Sequence, residues 1–178
     1  MSAPKPETAD LVARPVEITW RDRFVAAVLG LSTLIVLVAT SPNVGVARDE
    51  GIYINAAEHY RRYVEAVRKD PTKRKDKRTI EASYRVNAEH PPGTKHLYGL
   101  SWAKLSKGGV DEGTKAHRAR LAKRGEDPLA RSWGWLDDLT ALRLPGMVGA
   151  ALLVAFLYLF GAMTFGRMAG LLGALAYI

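Results

Sequence analysis

Asp49-Glu50 and Glu89-His90-Pro91-Pro92-Gly93-Thr94-Lys95 are the two stretches of this 178-residue chain whose residue types and spacing could do chemistry. In the second, consecutive prolines force an extended backbone and forbid a helix through them. An acid, an imidazole and an ammonium therefore sit on one rigid corner, which suits positioning a ligand and suits a structural turn equally well. Asp49 can cap the helix that begins around it, and the two acids favour its positive end. From spacing alone the plain reading of Asp49 is a solvated cap. His59, His90, His96 and His117 fall at no metal-binding spacing, and no glycine-rich phosphate cradle is present. With no cysteine there is neither thiolate chemistry nor a disulfide framework. Motifs of soluble enzymes are thus unsupported, and any activity belongs at a membrane surface.

The elements that must position these residues divide by hydropathy. A near-zero mean hydropathy with 25% charged residues averages two kinds of sequence. Phe24 to Thr40 is uncharged for 17 residues, the lower edge of a crossing, and Pro42 ends or kinks the helix soon after. A cleaved signal peptide competes for this run, but a 23-residue polar lead with acids and bases and a weak Ala39-Thr40-Ser41 site argue against it. Leu144 to Phe165 supplies a second run of 22 uncharged residues. After Gly166-Arg167, Met168 to Ile178 begins a third run of only 11, so the natural protein is expected to continue. The expected organisation is a segment at 1–23, a first span at 24–41, a loop at 42–142, a second span at 143–165, a turn at 166–167 and the start of a third span at 168–178. This is an all-α integral membrane protein.

Arg21, Arg23 and Arg167 lie on short flanks an even number of crossings apart, so the basic-inside rule places all three in the cytoplasm and the loop outside, in an inner (plasma) membrane. The loop holds 20 Lys and Arg against 14 Asp and Glu, and long loops translocate regardless of such charge. Within it Tyr53, Ala56, Ala57, Tyr60 and Val64 recur at helical spacing, giving an amphipathic face suited to the membrane surface. Arg68 to Arg78 reads as a mobile surface loop that could attract anionic headgroups. It lacks aromatic interleaving and faces away from the cytoplasm, so nucleic acid is excluded as a partner. Leu97, Leu100, Trp102 and Leu105 suit a second interfacial helix. Lys107 to Gly113 and Ala116 to Asp127 read as a surface insertion. Trp133 and Trp135 fit an aromatic belt, and Asp137 and Asp138 read as caps of the incoming helix.

In this order the chain resembles membrane glycosyltransferases of the dolichyl-phosphate-mannose protein mannosyltransferase and aminoarabinose transferase class, with the GT-C, family 39-like, architecture. Asp49-Glu50-Gly51-Ile52-Tyr53 resembles the family's acidic pair leading into a membrane-parallel helix. Glu89 to Lys95 is similar to its His/Lys-Pro-Pro segment before a second such helix. Arg143-Leu144-Pro145, and Tyr158 through Gly170, resemble the second and third spans with their short turn. The resemblance implies GT-C-like transmembrane helices with amphipathic membrane-parallel helices in a large first outer loop. It further implies transfer of a sugar from a polyprenyl-phosphate donor to a hydroxyl of a protein, lipid or glycan acceptor on the outer face. Asp49 would be the catalytic base and the anomeric carbon would invert. Glu50, Tyr53, Glu89, His90 and Lys95 would contact substrate, with His90 and Lys95 toward the donor phosphate. No cofactor is required, although Mg²⁺ or Mn²⁺ is compatible with Asp49. The 178-residue chain alone is expected to be inactive. From another class, a non-enzymatic membrane anchor or assembly subunit with a basic partner-binding loop remains open.

Overall fold

Thr19-Trp20-Arg21-Asp22 decides where the first helix starts. Asp22 accepts from the backbone N–H and the hydroxyl of Thr19, at 2.8 and 2.6 Å. The carboxylate at the third helical position thus reaches back to the residue just ahead of the helix, one half of a capping box. Helix α1 therefore spans Trp20–Thr40 and begins four residues ahead of the apolar run, taking Arg21 and Arg23 into its first turn. Pro42 ends it as expected, in a single 3₁₀ turn over Ser41–Asn43. The computed structural model describes residues 17–45, 50–86, 92–108 and 132–178, with the single residues 88, 123 and 129. The remaining helices are α2 (Glu50–Lys69), α3 (Lys77–Tyr84), α4 (Pro92–Leu105), α5 (Asp138–Phe165) and α6 (Arg167–Tyr177). Among the described residues there is no sheet, only one isolated bridge between Ser106 and Leu136.

α5 also starts early. Asp137 accepts from the Thr140 N–H at 3.0 Å, as a cap should, and so Pro145 falls inside the helix instead of opening the span. Two stretches are long and apolar enough to cross a membrane, Trp20–Asn43 with 24 residues and Asp138–Phe165 with 28. At about 1.5 Å per residue either exceeds a hydrocarbon core of about 30 Å.

The contacts divide the chain into two compact units. The first comprises α1 to Leu37, α5 from Val148, and α6. Its core is narrow: Ala26, Val154, Tyr158, Ala162 and Ala174 are buried, flanked by Val25, Leu29, Leu159 and Leu171. Small residues let the backbones touch. A Cβ on Gly170 would stand 2.6 Å from the Ala162 nitrogen, and one on Gly30 would stand 2.9 Å from the Ala151 carbonyl. Gly166, between α5 and α6, has φ +95°, open to glycine and costly for other residues. Around this core Phe24, Leu31, Ile35, Leu152, Phe156, Phe160 and Leu172 point outward and are exposed.

In the second unit α2 packs against both α3 and α4. Ala56, Ala57 and Tyr60 are fully buried, so the face expected to rest on the membrane is instead taken up by protein. The cause lies partly at Gly99 of α4, where any Cβ would collide with the Ala57 carbonyl of α2. The expectation of a mobile loop at 68–78 is likewise corrected. Asp70 accepts from the Thr72 N–H at 3.0 Å and starts a 3₁₀ turn over Pro71–Lys75, and Asp76 accepts from the Thr79 N–H at 3.2 Å and starts α3. The Tyr63 hydroxyl donates to the Arg74 carbonyl at 3.1 Å, tying the turn back to α2. Arg143 of α5 donates to the carbonyls of Ser41, Val44 and Gly45 at 3.2, 3.0 and 2.9 Å, satisfying backbone just beyond α1. Trp133 and Trp135 are exposed with ring centroids 4.9 Å apart, and Asp138 accepts from the Ser106 hydroxyl. The proposed insertion lies largely outside the described residues: Lys107, Gly108 and Lys123 alone are described in 107–113 and 116–127.

Candidate functional site

Tyr60 and Arg61 of α2, Tyr84 of α3, and Lys95, His96 and Trp102 of α4 meet where the three helices pack. Lys95 is 1% exposed, and its ammonium lies 5.2 Å from the Tyr60 ring centroid. The face of an aromatic ring attracts a cation, more strongly once water is excluded. Arg61 is also buried; its guanidinium carbon stands 6.0 Å from the Trp102 ring centroid, and it pairs with Glu65 one turn on. Its Nε finds no hydrogen-bond partner. Two buried cations thus sit on facing helices beside electron-rich rings.

His96 completes the cluster. Its Nε2 is 2.8 Å from the Tyr84 hydroxyl, and its ring lies 5.5 Å from Tyr60 and 5.6 Å from Tyr84, centroid to centroid. Burial pushes the imidazole below its ordinary 6.5, which keeps it neutral at pH 7. Burial likewise raises the Tyr60 and Tyr84 hydroxyls, so both remain protonated. The Tyr60 hydroxyl donates to the Val86 carbonyl at 3.1 Å, fixing the segment after α3. Chemically, the cluster gathers two buried cations and a neutral imidazole among aromatic rings in a partly dry setting. Among the described residues no three His, Asp or Glu side chains converge to hold a metal ion.

Of the residues expected to form the site, Lys95 is buried in this cluster. Tyr53 lies on α2, two turns before Tyr60 and partly buried. Glu50 opens α2, and its side chain lies outside the described residues, as do Asp49, Glu89 and His90 entirely. Lys95 is therefore brought together with Tyr60, and its geometry toward the acidic pair stays an expectation. Sequence reasoning missed Arg61, Tyr84 and His96. His96 falls at no metal-binding spacing, and the sequence signal for it is adjacency to Lys95 with Tyr60, Tyr63 and Tyr84 gathered in an otherwise charged region. Set beside models of known families, curated proteins and solved structures, the chain matches none.

Proposed function

We propose that this chain serves a membrane-embedded glycosyltransferase that moves a sugar from a polyprenyl phosphate to an acceptor hydroxyl at the outer face. The observation that carries the reading is an order of elements. Glu50, the second acid of the pair in sequence, opens α2 after one helix able to cross a membrane. Pro92, the second proline of the Pro-Pro segment in sequence, opens α4, which packs on α2. A second helix able to cross follows. Exposed apolar side chains on α1 and α5 support lipid as their surroundings, since an aqueous protein leaves few such faces bare. The similarity to the GT-C class rests on this same order.

In the proposed reaction Asp49 takes the proton of the acceptor hydroxyl as its oxygen attacks the anomeric carbon. The carbon–oxygen bond to the lipid phosphate breaks, the configuration inverts, and the phosphate leaves with the bonding pair. Lys95, and His90 with Glu89 orienting it, would offset charge gathering on that phosphate. Tyr53 would line the acceptor side. Glu50 is adjacent to Asp49 in sequence and opens α2, so in this reading it orients that helix instead of sharing the base role. A Mg²⁺ or Mn²⁺ ion beside Asp49 is compatible with the reading.

Asp49→Asn tests it, in the protein made from its complete reading frame and matched to wild type for folded amount. The amide keeps the shape and capping ability of the carboxylate but cannot act as an effective base. Turnover from a polyprenyl-phosphate sugar should fall about 10² to 10⁴-fold, while Glu50→Gln should lose less. Retention of more than about a third of wild-type turnover reassigns Asp49 to capping and favours a non-enzymatic membrane anchor.

A further inference from the structure

Asp22 is 2% exposed, yet it is an ionisable side chain in the first turn of an apolar helix. Five donor contacts account for its burial. Thr19 gives its N–H and hydroxyl to Oδ2, the Tyr158 hydroxyl reaches Oδ1 at 3.3 Å, and Arg167 supplies Nε to Oδ1 at 2.7 Å and Nη2 to Oδ2 at 3.0 Å. A two-pronged guanidinium–carboxylate pair of this kind fixes direction as well as distance. Arg167 is held by one edge, while its side chain remains 52% exposed.

The clasp borders an open cavity of about 590 Å³ lined by Thr19, Trp20, Arg21, Asp22, Val25, Tyr158 and Arg167. All of these belong to the α1–α5–α6 unit. Arg21 is exposed, with its guanidinium carbon 5.8 Å from the Trp20 ring centroid. The lining carries two guanidinium groups against one carboxylate, and that carboxylate is turned inward and saturated. The face left for a ligand is cationic, preorganised and edged by an exposed tryptophan at one end of an apolar helix, where aromatic rings and headgroups meet.

We propose that this cavity binds the phosphate of an anionic membrane lipid between Arg21 and Arg167, with Asp22 as the positioning residue that orients Arg167. The site is separate from the α2–α4 cluster and does not depend on the transferase reading. A soluble phosphoester shares the chemistry, but the lipid alone also brings acyl chains to the apolar flanks of α1.

Trp20 is a built-in probe. Trp102, Trp133 and Trp135 are replaced by Phe, and the protein is reconstituted into phosphatidylcholine bilayers with brominated phosphatidylglycerol or brominated phosphatidylcholine. Quenching of Trp20 should favour the anionic lipid by about fivefold per engaged arginine. Arg21→Gln, which leaves the Asp22–Arg167 clasp intact, should lower this preference about fivefold. Arg23→Gln, two residues along α1 and outside the cavity lining, should leave it unchanged. Equal quenching by the two lipids in the parent protein overturns the proposal, as does an equal loss in Arg21→Gln and Arg23→Gln, which would indicate general surface charge. Competition by millimolar glycerol phosphate that abolishes the preference assigns the site to a soluble phosphoester and overturns the lipid claim.

Discussion

His96 packs between Tyr60 and Tyr84 in its neutral form, so protonating it puts charge into a packed aromatic site. Its folded-state pKa lies below 6.5; the stability tied to the neutral ring is complete above that pH and is lost as pH falls through it toward the folded value. Tyrosine near-ultraviolet circular dichroism, followed from pH 8 down to 5, should show loosening that starts below about 6.5 and is abolished in His96→Phe. The carboxylates that cap α3 and its preceding turn lose their contribution in the same direction, on acidification, but in a lower pH window. Hydrogen bonds from Thr79 and Thr72 hold Asp76 and Asp70 below 3.8, so their contributions persist until pH falls past that value. Lys95 was legible in the sequence as a charge beside a rigid corner. That it would be buried over Tyr60 was not, because the contact depends on α4 returning across more than thirty residues to meet α2. Asp22 carries no signal in the hydropathy pattern, although Thr19 three residues earlier is a visible capping partner.

Helices are where backbone contact leaves least room. Gly99→Val would push a branched side chain into the Ala57 carbonyl, which only separation of α2 and α4 relieves. Overpacking of this sort costs about 1–3 kcal/mol, and the cost should appear as faster amide exchange across α2 and α4. At Gly166 an alanine must adopt φ +95°, so Gly166→Ala should destabilise the α5–α6 hairpin, by roughly 1 kcal/mol. Gly149→Ala, with open space around the new methyl group and an ordinary helical backbone, is the control expected to be neutral or slightly stabilising. Unbroken apolar runs made α1, α5 and α6 readable, since length and lack of charge suffice to mark such helices. Their starts were not readable from hydropathy, because Thr19–Asp22 and Asp137–Thr140 set them by capping. The basic stretch at 68–78 misled for a related reason. Its seven basic residues suggested solvated chain, whereas the two aspartates among them, each followed by a threonine, are caps that order the backbone.

For the whole molecule, one helix able to cross a membrane precedes α2–α4 in the chain and a second follows them, before the turn at Gly166–Arg167. If both helices cross, an even number of crossings lies between Arg21 and Arg167, and the basic-inside rule predicts both in the cytoplasm with the basic stretch outside. Because the chain has no cysteine, Lys75→Cys and Met168→Cys can each be probed alone with an impermeant thiol reagent. Labelling in intact cells is expected at 75 and absent at 168, and the reverse pattern inverts the topology. The proposed activity has a sidedness that follows from the same arrangement. The most direct measurement is sugar transfer in sealed, right-side-out vesicles carrying the protein from its complete reading frame, a polyprenyl-phosphate sugar and an acceptor that cannot cross the bilayer. The account predicts that the external acceptor is glycosylated with inversion, at a rate that Asp49→Asn reduces about 10² to 10⁴-fold. Transfer no greater than in vesicles lacking the protein, or transfer only to acceptor enclosed inside, would contradict it.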